Sequence, residues 1–195
     1  MFFSSSGIFF LKNIETPRLQ LRRLERRDAQ DIYAYSKDPD VARYVLWQAQ
    51  SSVSEAREYI RYMLGRYRRD EPSSWGIIDK MDGHLIGTIG YMNYDMENGV
   101  VEIGYSLAKW KWNQGYMTEA LEKVIEYTFE TMDVNRIEAM HEPENPASGR
   151  VMEKCGFKKE GLLRQRLYNK GKYVDVCLYS LLRGEWKSKE RRSIE

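Results

Sequence analysis

Val101-Glu102-Ile103-Gly104-Tyr105-Ser106-Leu107, Ala108-Lys109-Trp110-Lys111 and Trp112-Asn113-Gln114-Gly115-Tyr116-Met117-Thr118-Glu119-Ala120 follow one another without a break, and the reading of the chain turns on them. The first seven residues alternate, with Val101, Ile103, Tyr105 and Leu107 on one face of a strand and Glu102, Gly104 and Ser106 on the other. Met117, Leu121, Val124, Ile125, Thr128, Phe129 and Met132 then recur at helical intervals. A strand therefore runs into a helix N-terminus through a short linker that ends at Gly115. The first turn of a helix carries unpaired N–H groups and the positive end of its dipole, so a glycine that admits a ligand there makes an anion site, with phosphate the obvious occupant. Gly115 as a mere turn into the helix fits the spacing equally well.

Working outward, Asn135 to Met140 reads as a strand after the long helix, and strand, helix, strand implies a parallel crossover. On the upstream side, Trp75 to Asp79, a Met-Asp-Gly turn, His84 to Tyr94, a Met-Glu-Asn-Gly turn and Val100 to Leu107 form an antiparallel meander. Arg18 to Leu24 alternates as a first strand, and Asp28 is expected to cap a helix holding Ile32, Tyr33 and Tyr35. Ser52 and Glu55 have capping-box spacing ahead of a second helix, Ala56 to Tyr67. Asn145, Pro146 and Gly156 have the N-cap, N1 and C-cap order of a short helix, and two last strands flank Asn169-Lys170-Gly171. The sum is an α/β (α+β) domain whose mixed, mostly antiparallel sheet has six to seven strands with helices on both faces. Residues 15–186 form that single domain, with 1–14 an extra strand or a disordered extension and 187–195 a charged tail.

Composition bounds the function. The 195 residues are 42% hydrophobic and 31% charged, which suits one compact core. Thirty-one basic against 29 acidic residues leave a net charge of +2, so no global field drives the chain onto nucleic acid or membrane. Arg18, Arg22, Arg23, Arg26, Arg27, Arg66, Arg68 and Arg69 are read as a solvated face rather than an RNA site, because acidic residues dilute them. No uncharged stretch approaches the roughly 20 apolar residues of a membrane span, and Met1 to Leu11 lacks the pattern of a signal peptide. Cys155, Cys177, His84 and His141 offer neither a disulfide framework nor tetrahedral metal spacing. A soluble cytoplasmic protein without a metal is expected.

Trp-x-x-Gly-Tyr-x-Thr-Glu-Ala at 112–120, followed by Asn-x-x-Ser-x-x-x-x-x-Lys-x-Gly-Phe-x-x-Glu-Gly at 145–161, resembles the GNAT superfamily of acetyl-CoA-dependent N-acetyltransferases. The likeness is close to the ribosomal-protein alanine N-acetyltransferase subgroup. It extends from Glu15 to Trp186 and includes the opening Glu-Thr-Pro-Arg-Leu-x-Leu-Arg. The resemblance implies two neighbouring strands, here Val100 to Leu107 and Arg136 to His141, that splay apart so that the pantetheine arm of acetyl-CoA pairs with the exposed edge. It further implies that Leu107 contributes backbone groups, that the N–H groups of Asn113, Gln114, Gly115, Tyr116, Met117 and Thr118 hold the pyrophosphate, and that Asn145 touches the cofactor. Three positions depart from the family pattern. Trp112 stands where Gln or Arg is usual, and Met117 where Gly or Ala is usual; the Met117 side chain either crowds the phosphate or points into the core. Met152 occupies the usual place of a tyrosine acid.

Acetyl transfer needs a neutral amine, and an α-amine with a pKa near ~8 is freer at neutral pH than a lysine near ~10.4. Glu102 is the leading candidate base, a lone carboxylate in mid-strand whose partial burial would raise its pKa toward the working pH. Glu160 is its rival, and a solvent-facing or ion-paired Glu102 is the plain alternative. Ser148, three residues past Asn145, is the candidate acid for the thiolate, with helix capping as its plainer role. A backbone N–H between Ile103 and Leu107 could hold the oxyanion. Tyr44, Trp47 and Trp75 line an acceptor pocket or pack in the core, and Cys155 reads as a core residue. The expected partners are acetyl-CoA and a protein N-terminus, ribosomal by resemblance, with the chain a monomer or homodimer. A polyamine or aminoglycoside is the alternative acceptor, and a non-catalytic CoA-binding or interaction module the alternative role.

Overall fold

The computed structural model describes residue 9 and residues 11–187. These build one eight-stranded sheet in the order β1-β2-β3-β4-β5-β6-β8-β7. Its strands are β1 (Ile14–Glu15), β2 (Leu19–Arg23), β3 (Ser74–Asp79), β4 (Leu85–Asp95), β5 (Val100–Leu107), β6 (Arg136–His141), β7 (Lys158–Asn169) and β8 (Lys172–Leu182). The helices are α1 (Ala29–Ser36), α2 (Pro39–Ala42), α3 (Val53–Arg68), α4 (Tyr116–Thr131) and α5 (Pro146–Lys154), with single 3-10 turns at Arg26–Asp28 and Lys109–Lys111. β5 and β6 run parallel, joined by α4, and the other pairs in the sheet are antiparallel. The expected sheet gains β1, a two-residue edge pair too short to carry an alternation signal. Residues 1–8, 10 and 188–195, and with them most of the expected N-terminal extension and charged tail, lie outside the described residues, but Phe9 and Leu11 are buried, Phe9 edge-on to Tyr94.

Alternation along β5 sorts the two layers. Tyr91, the register partner of Ile103, reaches Thr128 of α4 at 2.8 Å, so Val101, Ile103 and Tyr105 face α4 and α5. Thr88, the partner of Ser106, bonds the hydroxyls of Tyr35 in α1 and Tyr59 in α3, so Glu102, Gly104 and Ser106 face the opposite layer. Trp75, Ile77, Ile89, Val101, Leu121 and Ile137 are wholly buried between the layers. No helix among the described residues is long and apolar enough to cross a membrane.

Two helix starts differ from expectation because distant partners take the side chains. Asp28 does not cap α1: its carboxylate receives both arms of the Arg22 guanidinium, at 2.8 and 2.7 Å, and the Glu25 N–H. Ser52 stands at the N-cap of α3 without a side-chain bond, and Glu55 instead accepts from the backbone and hydroxyl of Ser51. Arg22 is thus a structural ion-pair partner, not part of a solvated basic face. Arg22 and Asp28 are both nearly buried, and removing one partner of such a pair strands the other charge. Asp28→Ala is therefore expected to lose about 3 kcal/mol of stability in urea unfolding, whereas a loss under about 1 kcal/mol would mean that water replaces the carboxylate.

Candidate active site

β5 and β6 pair only at Val100–Arg136, Val101–Ile137 and Glu102–Glu138. Beyond that point β5 stays with β4 out to Leu107, and β6 stays with β8 out to His141, so the two strands part and leave Ile103 to Leu107 with an open edge. The Gly99 carbonyl, which accepts from both Asn135 and Arg136, closes the base of the notch. On the α4/α5 side the notch opens into a cavity of about 610 Å³ walled by the end of β5, the 111–118 loop, α5 and residues 40–45. That size suits an extended cofactor arm.

The loop into α4 is shaped by left-handed backbone at Asn113 (φ 58°) and Gly115 (φ 80°). Long-range ties fix it. Arg18 ion-pairs with Glu119 at 2.6 Å, donates to the Gln114 carbonyl at 2.9 Å and lies 4.2 Å over the Tyr116 ring. Glu119 also accepts from the Thr16 hydroxyl and the Arg18 N–H. Burial pushes the Glu119 carboxyl up, but these bonds outweigh it and hold the group below the ordinary range. Lys111 pairs with buried Asp79 at 2.5 Å, and the Trp112 indole donates to the Leu107 carbonyl at 2.8 Å. The Leu107 carbonyl, expected to be free for the cofactor, therefore already has a loop partner, although Leu107 lines the cavity. Met117 is buried within the core cluster, so its length is absorbed by packing. Asn113, Gly115, Tyr116, Met117, Thr118 and Asn145 line the cavity; Gln114 belongs to the same loop but turns its side-chain amide back to Trp110. Asn145 occupies the N-cap position of α5 without a side-chain bond.

The candidate acid and base stand on opposite faces of β5. Ser148 lines the cavity, where its hydroxyl lies 3.0 Å from that of Tyr105 and its carbonyl 3.1 Å. Burial pushes the Tyr105 hydroxyl pKa up, so it remains protonated and a hydrogen-bond donor. On the other face Glu102 is half-buried, and no hydrogen bond or ion pair engages its carboxylate among the described residues. Burial first, and then repulsion from Glu138, raise its pKa against a smaller opposing pull from Arg166. Glu160 differs: it accepts from Ser180 and from Arg136 at 3.0 Å, and these bonds lower its pKa. Gly104, next to Glu102 on that face, has Met92 where a Cβ would stand, 2.8 Å from Met92 Cγ.

Of the aromatic residues, Tyr44 lines the cavity, Trp47 packs edge-on to Tyr35, and Trp75 is a core residue whose indole bonds Lys12. Cys155 and Met152 are buried in the core. Tyr105 was legible only as an inward strand residue, since nothing in the spacing links it to Ser148, 43 positions on.

Residues 18–158 match the model of the acetyltransferase (GNAT) domain, and the chain belongs to that family of acetyl-CoA-dependent N-acetyltransferases. It is 38% identical to the N-acetyltransferase p20 of Bacillus licheniformis over 176 residues, 90% of this chain and 99% of that one. It is 36% identical over 139 residues to YdaF of Bacillus subtilis, provisionally named a ribosomal N-acetyltransferase, covering 70% and 76% of the two chains. A GNAT-family acetyltransferase structure from Bacillus anthracis superposes with a TM-score of 0.79 at 28% identity, covering 89% of this chain and all of that one.

Gly115→Ala is expected to cost about 1–2 kcal/mol for the left-handed backbone and to weaken coenzyme A binding by calorimetry. Unchanged stability and affinity would show that the loop relaxes without loss.

Proposed function

We propose that the chain transfers the acetyl group of acetyl-CoA to the N-terminal α-amine of a protein, a ribosomal protein in the first instance. The observation that carries this reading is the pair of unlike faces at the notch, with the Glu102 carboxylate, unpartnered among the described residues, on one side and Ser148 with Tyr105 on the other. A thioester lying along the open edge of β5 would have its sulfur on the α5 side and its acceptor on the Glu102 side. The α4 N-terminus and the glycine turn would hold the pyrophosphate.

The amine nitrogen attacks the thioester carbonyl carbon, and the negative charge passes to the carbonyl oxygen, met by a backbone N–H of Ile103 to Leu107. Glu102 takes the proton from nitrogen, directly or through water. As the C–S bond breaks, Ser148 donates a hydrogen bond to the developing thiolate while Tyr105 holds the serine hydroxyl in place. The leaving thiol, with a parent pKa near ~8.5, asks for no stronger acid. The modest base strength of one carboxylate suits an α-amine better than a lysine. The name of the YdaF relative points to the same acceptor class.

Acetyl-CoA-dependent mass gain across Ala-, Ser- and Met-starting peptides, polyamines and aminoglycosides tests the acceptor. The expected gain is on a peptide α-amine, and gain on a small amine alone would replace the substrate while keeping the chemistry. Glu102 gives a second test with two signs. Its raised pKa favours the protonated folded state, so its contribution to stability is full below the ordinary glutamate pKa and is lost as pH rises through the raised value. Glu102→Gln should therefore melt higher than the parent at neutral pH, a difference that vanishes in acid, while turnover falls 10²-fold or more, on the order of general-base catalysis. Full turnover with the parent's pH profile would remove Glu102 from the mechanism.

A further inference from the structure

The β7–β8 turn does more than reverse the chain. Lys170 (φ 48°) and Gly171 (φ 86°) both take left-handed backbone there. The Lys170 ammonium reaches more than 120 residues back along the sequence, donating to the carbonyls of Ala42 at 2.7 Å, Val45 at 2.6 Å and, more weakly, Arg43 at 3.4 Å. These carbonyls close the end of α2, where helix geometry leaves acceptors unpaired. The neighbouring Asn169 is buried and donates through its amide to the carboxylate of Glu142 at 2.8 Å, also buried. Glu142 leads into α5, its carbonyl accepting from the Asn145 N–H.

The two segments so joined are the two rims of the cavity: Arg43, Tyr44 and Val45 line one side, Asn145 and Ser148 the other. The first rim is tied at its far end as well, since Asp40 pairs with Lys109 beside the phosphate loop at 2.6 Å. Lys170 as a residue remains exposed, and the partial burial of its ammonium among these carbonyls lowers its pKa against the attraction of Glu142. Immobilising a lysine also costs rotamer entropy. An exposed loop could leave its carbonyls to solvent at no such cost.

We propose that the Asn169–Lys170 tip is a strap that fixes the separation of the two rims, making Lys170 and Asn169 positioning residues for coenzyme A binding. The proposal rests on the reading of this cavity as the cofactor site. Strap closure and cofactor binding are then coupled, and the coupling is reciprocal: coenzyme A holds the strap shut as the strap holds coenzyme A.

Two readouts with free coenzyme A as the probe test it: affinity by calorimetry, and tryptic cleavage of the Arg43–Tyr44 bond followed by mass spectrometry. Lys170→Met keeps the stem and removes the donors; it is expected to weaken coenzyme A about tenfold and to speed cleavage at Arg43 in the free protein. Lys170→Arg restores much of both, and Asn169→Ser, which cuts the other rim, moves both in the same direction. Coenzyme A slows the cleavage in the parent protein. Faster cleavage with unchanged affinity overturns the proposal, because the tip would then serve only the loop, and so does unchanged cleavage in both variants. A parent protein that binds no coenzyme A fails at the earlier step and overturns the cofactor reading itself.

Discussion

The molecule depends on one interrupted ladder. β5 and β6 share three register positions and then separate, and a strand that leaves its neighbour exposes backbone groups that something must satisfy. Each strand has a good partner on its other side, β4 for β5 and β8 for β6. The sheet therefore survives the break without fraying, and the open edge from Ile103 to Leu107, whose last carbonyl is taken by the Trp112 indole, is held in a rigid frame. A rigid open edge can bind an extended chain by main-chain bonds without first ordering itself.

The ties around the notch answer the same need. Arg18, Thr16 and Glu119 fasten the start of α4 to the entry of β2, and Lys111 with Asp79 fastens the loop to β3. Both cations lie against the Tyr116 ring, so this aromatic residue sits between two neutralised pairs. With their charges already met by carboxylates, Arg18 and Lys111 act as struts, and the proposed phosphate site would rest on the N–H groups of the helix start. The residue proposed as the base is placed differently. Among the described residues Glu102 has no ion-pair partner, while the nearby Glu138 and Glu160 are both engaged by Arg136.

The sequence reveals the parts whose causes are local. The alternation of Val101 to Leu107 and the stripe from Met117 to Met132 identify β5 and α4, because burial on one face repeats at short intervals. The turn into α4 is legible for the same reason, since Gly115 stands where the alternation has ended and the helical stripe begins, and it does take left-handed backbone there (φ 80°). What escapes is whatever depends on a distant partner. Asp28 and Ser52 look like caps, but Arg22 claims the first and the bond expected at the second forms one residue earlier. Arg18 reads as one arginine among many until Glu119, 101 residues away, gives it a role. The Tyr105–Ser148 pair and the Lys170 strap are invisible for the same reason. β1 escapes because two residues cannot show a period.

Amide hydrogen exchange with and without acetyl-CoA tests the central claim most directly, because it reads the open edge itself. Added acetyl-CoA is predicted to slow exchange within Ile103 to Leu107 and at Gly115 to Thr118 together, while the amides of the already paired β2 and β3 change little. Saturating acetyl-CoA that leaves both segments exchanging at their original rates, or protects only residues away from the notch, would contradict the account.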